Sequence, residues 1–165
     1  MPTLESVPTQ AVPTFMLSQT RVIRANRSRV YEAWTNPEVL KQWFCPTDKY
    51  CHDAALDTRV GEVYQIEMRP MSDAATSAET SECATRQSIA SGNYTKVVPN
   101  ELIQFTWTTC WSPDEKSLVT LTFKDVEGGT ELTLLHENFN TEESRDGHNM
   151  GWASILDKMQ IVLAD

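Results

Sequence analysis

The residues best suited to chemistry in this chain are its histidines, at positions 52, 136 and 148. His148 stands four residues before Trp152, near the start of a segment with helical periodicity. The positive end of a helix dipole disfavours an imidazolium there and helps keep the ring neutral. A neutral histidine at a pocket mouth can act as a general base or as a donor to a bound molecule. It can equally brace the helix against a strand, and that structural role is the more frequent one. His136 falls by strand alternation on the side that faces His148. Were the site to perform acid–base catalysis, Tyr94 or Glu67 would be the natural partners of His148, with Asp146 a further carboxylate near the rim. No Gly-x-Ser-x-Gly elbow and no phosphate-cradling glycine loop is present. The cysteines, at 45, 51, 83 and 110, match no zinc or redox spacing. Cys45, Cys51 and His52 could be drawn as three metal ligands, but free thiols in a reducing compartment are the simpler expectation. No metal and no cofactor is expected.

The elements that must hold these groups follow from the pattern of apolar residues. Met16 to Arg24 reads as a strand. Asn26 sits at a helix N-cap, with Val30, Ala33 and Trp34 at helical spacing behind it. Asn36-Pro37 closes that helix and opens a second, whose apolar stripe is Val39, Leu40 and Trp43. Tyr50 to Met68 reads as two strands that turn near Arg59-Val60-Gly61, with Tyr64, Ile66 and Met68 on one face. Residues 70–88 are polar and read as a long hairpin loop. Ile89 to Val98 is a strand, turned by Pro99-Asn100 into the alternation of Ile103, Phe105 and Trp107. Cys110 to Lys116 reads as a loop. Val119, Leu121 and Phe123 alternate next, and Gly128-Gly129 turns that strand into Leu132, Leu134 and His136. Asn140, with Glu143 three residues on, resembles a capping box for a helix to about Ala164. Trp152, Ile155, Leu156, Met159, Val162 and Leu163 form its apolar face, which only the sheet is large enough to cover. Gly147 and Gly151, one turn apart inside it, each cost about 1 kcal/mol relative to alanine. That cost predicts something packed closely against them.

The order is therefore a strand, two short helices, an antiparallel meander and one long helix: an α+β chain whose curved sheet wraps a C-terminal helix. Val30–Phe44 (VYEAWTNPEVLKQWF) resembles the "VFEAWTDPELLARWW" signature of the heat-shock-protein-90 ATPase-activator homologue family. Gly92-Asn93-Tyr94 with Pro99–Trp107, the Gly128–His136 hairpin, and Arg145–Trp152 with its "H-x-x-G-W" pattern resemble three further family motifs, in the family's order. The resemblance spans about Met16 to Leu163. It implies the START-like (SRPBCC) helix-grip fold, with an apolar cavity between sheet and helix. Many family members pair, so a homodimer is an expectation. The 70–88 loop is longer and more polar than the family pattern.

On this reading the cavity is lined from the sheet by Tyr64, Ile66, Met68, Tyr94, Phe105, Trp107 and Leu121. The long helix contributes His148, Trp152 and Met159, and Trp34 and Trp43 close one end. The expected occupant is a small hydrophobic or aromatic molecule. Two other functions compete: an enzyme of the polyketide cyclase or hydrolase kind that uses His148, and a stress-response or co-chaperone partner acting through its surface. The family's eukaryotic co-chaperone carries a chaperone-binding domain with no counterpart here, so the family name says little about a chaperone role.

Composition bounds these choices. The chain has 165 residues and a net charge of -9, which suits one domain and excludes the basic footprint that nucleic acid requires. No run of apolar residues is long enough to span a membrane as a helix. Residues 1–15 lack the charged and apolar regions of a secretory signal. They read as a disordered leader on a single domain over 16–165, with a cytoplasmic location expected.

Overall fold

The structure is a computed structural model, and it describes residues 14–45, 49–70 and 88–164. Seven strands and three helices run in the order β1 (Phe15–Ile23), α1 (Arg27–Thr35), α2 (Pro37–Leu40), β2 (Lys49–Leu56), β3 (Val63–Pro70), β4 (Ser88–Val98), β5 (Leu102–Thr109), β6 (Ser112–Val126), β7 (Gly129–Phe139) and α3 (Glu142–Leu163). The strands form one antiparallel sheet in the order β1-β7-β6-β5-β4-β3-β2. It curls into half a barrel around α3, and its concave face and the apolar side of α3 bury each other. The α+β, helix-grip class read from the sequence is what forms.

Local signals act where they were read. Asn26 caps α1, its Oδ1 accepting from Arg29 N at 2.9 Å. Asn36 ends α1 and caps α2, its Oδ1 accepting from Glu38 N at 3.0 Å, with Pro37 as the first helical residue. Asn100 turns β4 into β5 with a φ of 65°. Along β5 every second residue is buried, and Ile103, Phe105 and Trp107 form that inner row. Gly92 is required by a close approach. A Cβ there would stand 2.0 Å from the Thr106 carbonyl oxygen, so only a residue without one lets β4 and β5 meet.

Five expectations are corrected. Cys110 to Lys116 is not a loop: Thr109 pairs with Ser112, and β6 runs from Ser112 for 15 residues. Ser112 closes the β5 ladder opposite Thr109, and the register shifts before Ser117 pairs with Trp107. The N-cap of α3 is Thr141, whose side chain accepts from Ser144 N at 3.0 Å, because Asn140 gives its own N–H to Glu115 Oε2 at 2.7 Å. Nothing lies within 4 Å of a Cβ built on Gly147 or Gly151, so these glycines leave space rather than admit a close neighbour. Cys110 is disulfide-bonded, while Cys45 and Cys51 are free thiols. Phe15 already belongs to β1, so the leader cannot extend that far. The rest of the expected leader and most of the 70–88 loop lie outside the described residues.

Candidate functional site

Between the N-terminal half of α3 and the inner face of the sheet lies a cavity of about 350 Å³. The sheet supplies Met68 from β3, Ser88 from β4 and Trp107 from β5, with Lys49 of β2 at the edge and Trp111 from the β5–β6 turn. From α3 come Ser144, His148, Trp152 and Ile155. Gly147 and Gly151 face the same space, and their missing side chains make part of it. Trp111 is the exposed aromatic of the group, 53% accessible, with its indole stacked on His148 at 6.3 Å.

The two histidines are held neutral, in opposite tautomers. Trp152 Nε1–H donates to His136 Nδ1 at 2.9 Å. The proton of His136 is therefore on Nε2, which faces Ser117 Oγ at 2.7 Å. The Ser117 hydroxyl donates in turn to the Trp107 carbonyl at 3.3 Å. In His148 the roles reverse. Nε2 accepts from Trp107 Nε1–H at 3.1 Å, and Nδ1–H donates to the Ser144 carbonyl at 2.9 Å. Protonating either ring would set an N–H against an indole N–H. Burial pushes His136 well below the usual imidazole range, and the adjacent His148 adds to the effect. Burial also lowers His148, opposed by the Ser144 carbonyl and the Glu115 carboxylate. Each imidazole lone pair is thus taken by a tryptophan that walls the cavity, leaving His148 no free nitrogen to abstract a proton.

The groups expected to assist His148 are engaged elsewhere. Glu67 lies on β3 beside Met68 in sequence but pairs with Arg69 at 2.6 Å, both nearly inaccessible. Tyr94 packs against Tyr64 and Phe105, with ring centroids 5.6 and 6.0 Å away. Burial pushes its phenol up to about 12, so it stays protonated at neutral pH. Asp146 is exposed and bonds Arg145 Nε at 2.8 Å. Among the described residues no three His, Cys, Asp or Glu side chains converge as a metal site. Cys51 is buried, its thiol pushed up to about 12 chiefly by burial, and the adjacent His52 is exposed.

The twelve residues read from the sequence as cavity walls separate into three groups. Met68, Trp107, His148 and Trp152 line the cavity. Trp34, Tyr64, Ile66, Tyr94 and Phe105 surround a second void of only about 10 Å³, at the limit of what one water needs. Trp43, Leu121 and Met159 are fully buried in the core and line neither space. Trp34 and Trp43 bury indole N–H groups that find no acceptor among the described residues. Sequence reasoning missed Lys49, Ser88, Ser117 and Glu115. Of these, Glu115 anchors the start of α3, its carboxylate accepting from Asn140 N and from Ser144 Oγ at 2.7 Å each. The polar run 113–116 held the one signal for it, an acid placed opposite a helix N-terminus.

A curled antiparallel sheet gripping a C-terminal helix, with a cavity between them, defines a START-like protein. The family model described as "Activator of Hsp90 ATPase homolog 1-like protein" matches residues 24–164, and the chain belongs to that family. Among solved structures it is similar to an AHSA1 protein of Silicibacter pomeroyi, with 22% identity and a TM-score of 0.75 over 91% of this chain and 98% of that one. A Chromobacterium violaceum protein is similar at 22% identity and a TM-score of 0.74, over 92% and 99% of the two chains. An AHSA1-like protein of Aeromonas hydrophila matches at 19% identity and a TM-score of 0.71, over 90% and 91%. At these identities the likeness is one of fold. No functionally curated protein matches the chain. No helix among the described residues is long and apolar enough to cross a membrane.

Proposed function

We propose that this chain binds a small hydrophobic or aromatic molecule in the cavity between α3 and the sheet, without transforming it. The observation that carries this reading is the open space of about 350 Å³ with mostly apolar walls, kept free beside α3 by Gly147 and Gly151. Its size falls at the low end of the roughly 300–1,000 Å³ typical of small-molecule sites. That suits a molecule of up to about three rings rather than a long-chain lipid. Hydrophobic ligands are also typical of START-like proteins. The committed lone pairs of His136 and His148 favour binding over acid–base catalysis.

Native mass spectrometry of freshly purified protein would display a co-purifying molecule and the oligomeric state together. A direct test uses N-phenyl-1-naphthylamine, an uncharged fluorescent probe. It should bind the natural chain, and Gly151→Leu should abolish binding while leaving the fold intact, since a side chain at 151 enters open space. Undiminished probe binding by a folded Gly151→Leu variant would refute the reading.

A further inference from the structure

We propose that the ligand of this cavity is an aromatic carboxylate of one or two fused rings, its ring held among tryptophans and its carboxylate by Lys49 and Ser88. The inference rests on reading the cavity as a small-molecule site and goes on to the chemistry at one end of it. Three indoles reach the space: Trp107 and Trp152, whose ring centroids are 5.3 Å apart, and the exposed Trp111 at the mouth. Flat apolar walls of this kind favour a planar π-system.

The polar end is set by strand register. Met68 of β3 pairs directly with Ser88 of β4 and with Cys51 of β2. Lys49 lies two residues from Cys51, on the same face. Lys49, Met68 and Ser88 therefore share the inner side at one end of three neighbouring strands, and all three line the cavity. Ser88 is 8% accessible as a residue; its hydroxyl is not fully enclosed, and it forms no hydrogen bond among the described residues. Lys49 is half-buried and forms no ion pair among them. A hydroxyl and an ammonium that line one end of the same cavity, neither bonded among the described residues, form a receptor for an anion.

The other charged and titratable groups nearby are already committed or exposed. Both ring nitrogens of His148 are bonded. Both oxygens of Glu115 are bonded, to Asn140 and Ser144. Glu143, on the first turn of α3, also borders the mouth, but it is exposed, where solvent and salt screen it. Net attraction therefore favours a carboxylate over an ammonium.

The experiment is isothermal titration of the full chain with 2-naphthoate, 2-naphthamide and 2-naphthylmethylammonium, which differ only in the charge and polarity of one substituent. The naphthoate should bind about tenfold or more tightly than the amide, the advantage expected of charge-assisted hydrogen bonds in a half-buried site. Lys49→Gln should erase that difference and leave amide affinity unchanged, Lys49→Arg should retain it, and Ser88→Ala should reduce it. Equal affinity for acid and amide, preference for the ammonium compound, or an equal loss of both ligands in Lys49→Gln would overturn the proposal. If none of the three binds while N-phenyl-1-naphthylamine still does, the carboxylate inference falls alone. If that uncharged probe fails as well, the cavity reading falls with it.

Discussion

Acidification should destabilise this protein through its two buried histidines, and the magnitude follows from their depressed titration. His136 and His148 are neutral when folded, each accepting an indole N–H, and burial depresses both below an ordinary imidazole. In the unfolded chain each titrates near 6.5. Below that pH the unfolded state therefore binds protons that the folded state refuses. The contribution is intact above pH 6.5 and is lost as pH falls toward the depressed folded values. For a histidine that stays neutral in the folded state, as the strongly depressed His136 does, lowering the pH from 7.5 to 5.5 costs about 1.4 kcal/mol, and His148, less depressed, adds a smaller share. Urea unfolding followed by tryptophan fluorescence at pH 7.5, 6.5 and 5.5 measures this directly. His148→Gln keeps an amide oxygen for Trp107 and removes the weaker of the two titrations, so it should reduce the loss by up to about half. A stability that is flat from pH 7.5 to 5.5, or a loss unchanged by His148→Gln, would refute the assignment of two neutral, hydrogen-bonded rings.

Two further expectations concern packing and the network. Gly92→Ala should destabilise by about 3 kcal/mol or more, since the new methyl meets the Thr106 carbonyl at 2.0 Å and the β4–β5 ladder must part; thermal unfolding reads the drop in Tm. Trp152→Phe keeps an aromatic ring but strips His136 Nδ1 of its donor. The cost is about 1–3 kcal/mol for the unsatisfied acceptor. The variant's His136 should also titrate nearer the ordinary range by NMR, because the lone pair is released.

Much of the scaffold was legible because its signals are local. The caps at Asn26 and Asn36 act through side chains within three residues of their targets. The inner row of β5 follows from period-two alternation alone. Where a signal depended on a distant partner, the reading failed. The polar start of β6 looks like loop until Thr109 of β5 pairs with Ser112. Asn140 looks like a cap until Glu115, 25 residues earlier, takes its N–H.

The sequence by itself determined the order of elements, the face each strand buries, the family, and the presence of aromatic and histidine side chains on the inner surface. Only the tertiary structure decided how far α3 stands from each strand. Alternation says that Tyr64, Phe105 and Trp107 point inward, but not that the first two close on a void of about 10 Å³ while the third borders one of about 350 Å³. It also decided the tautomers, because the donors to His136 and His148 come from residues 16 and 41 positions away in the chain. A face is a property of backbone period, which neighbouring residues set. A cavity and a proton position are properties of the gap between two elements, which no single stretch of chain encodes.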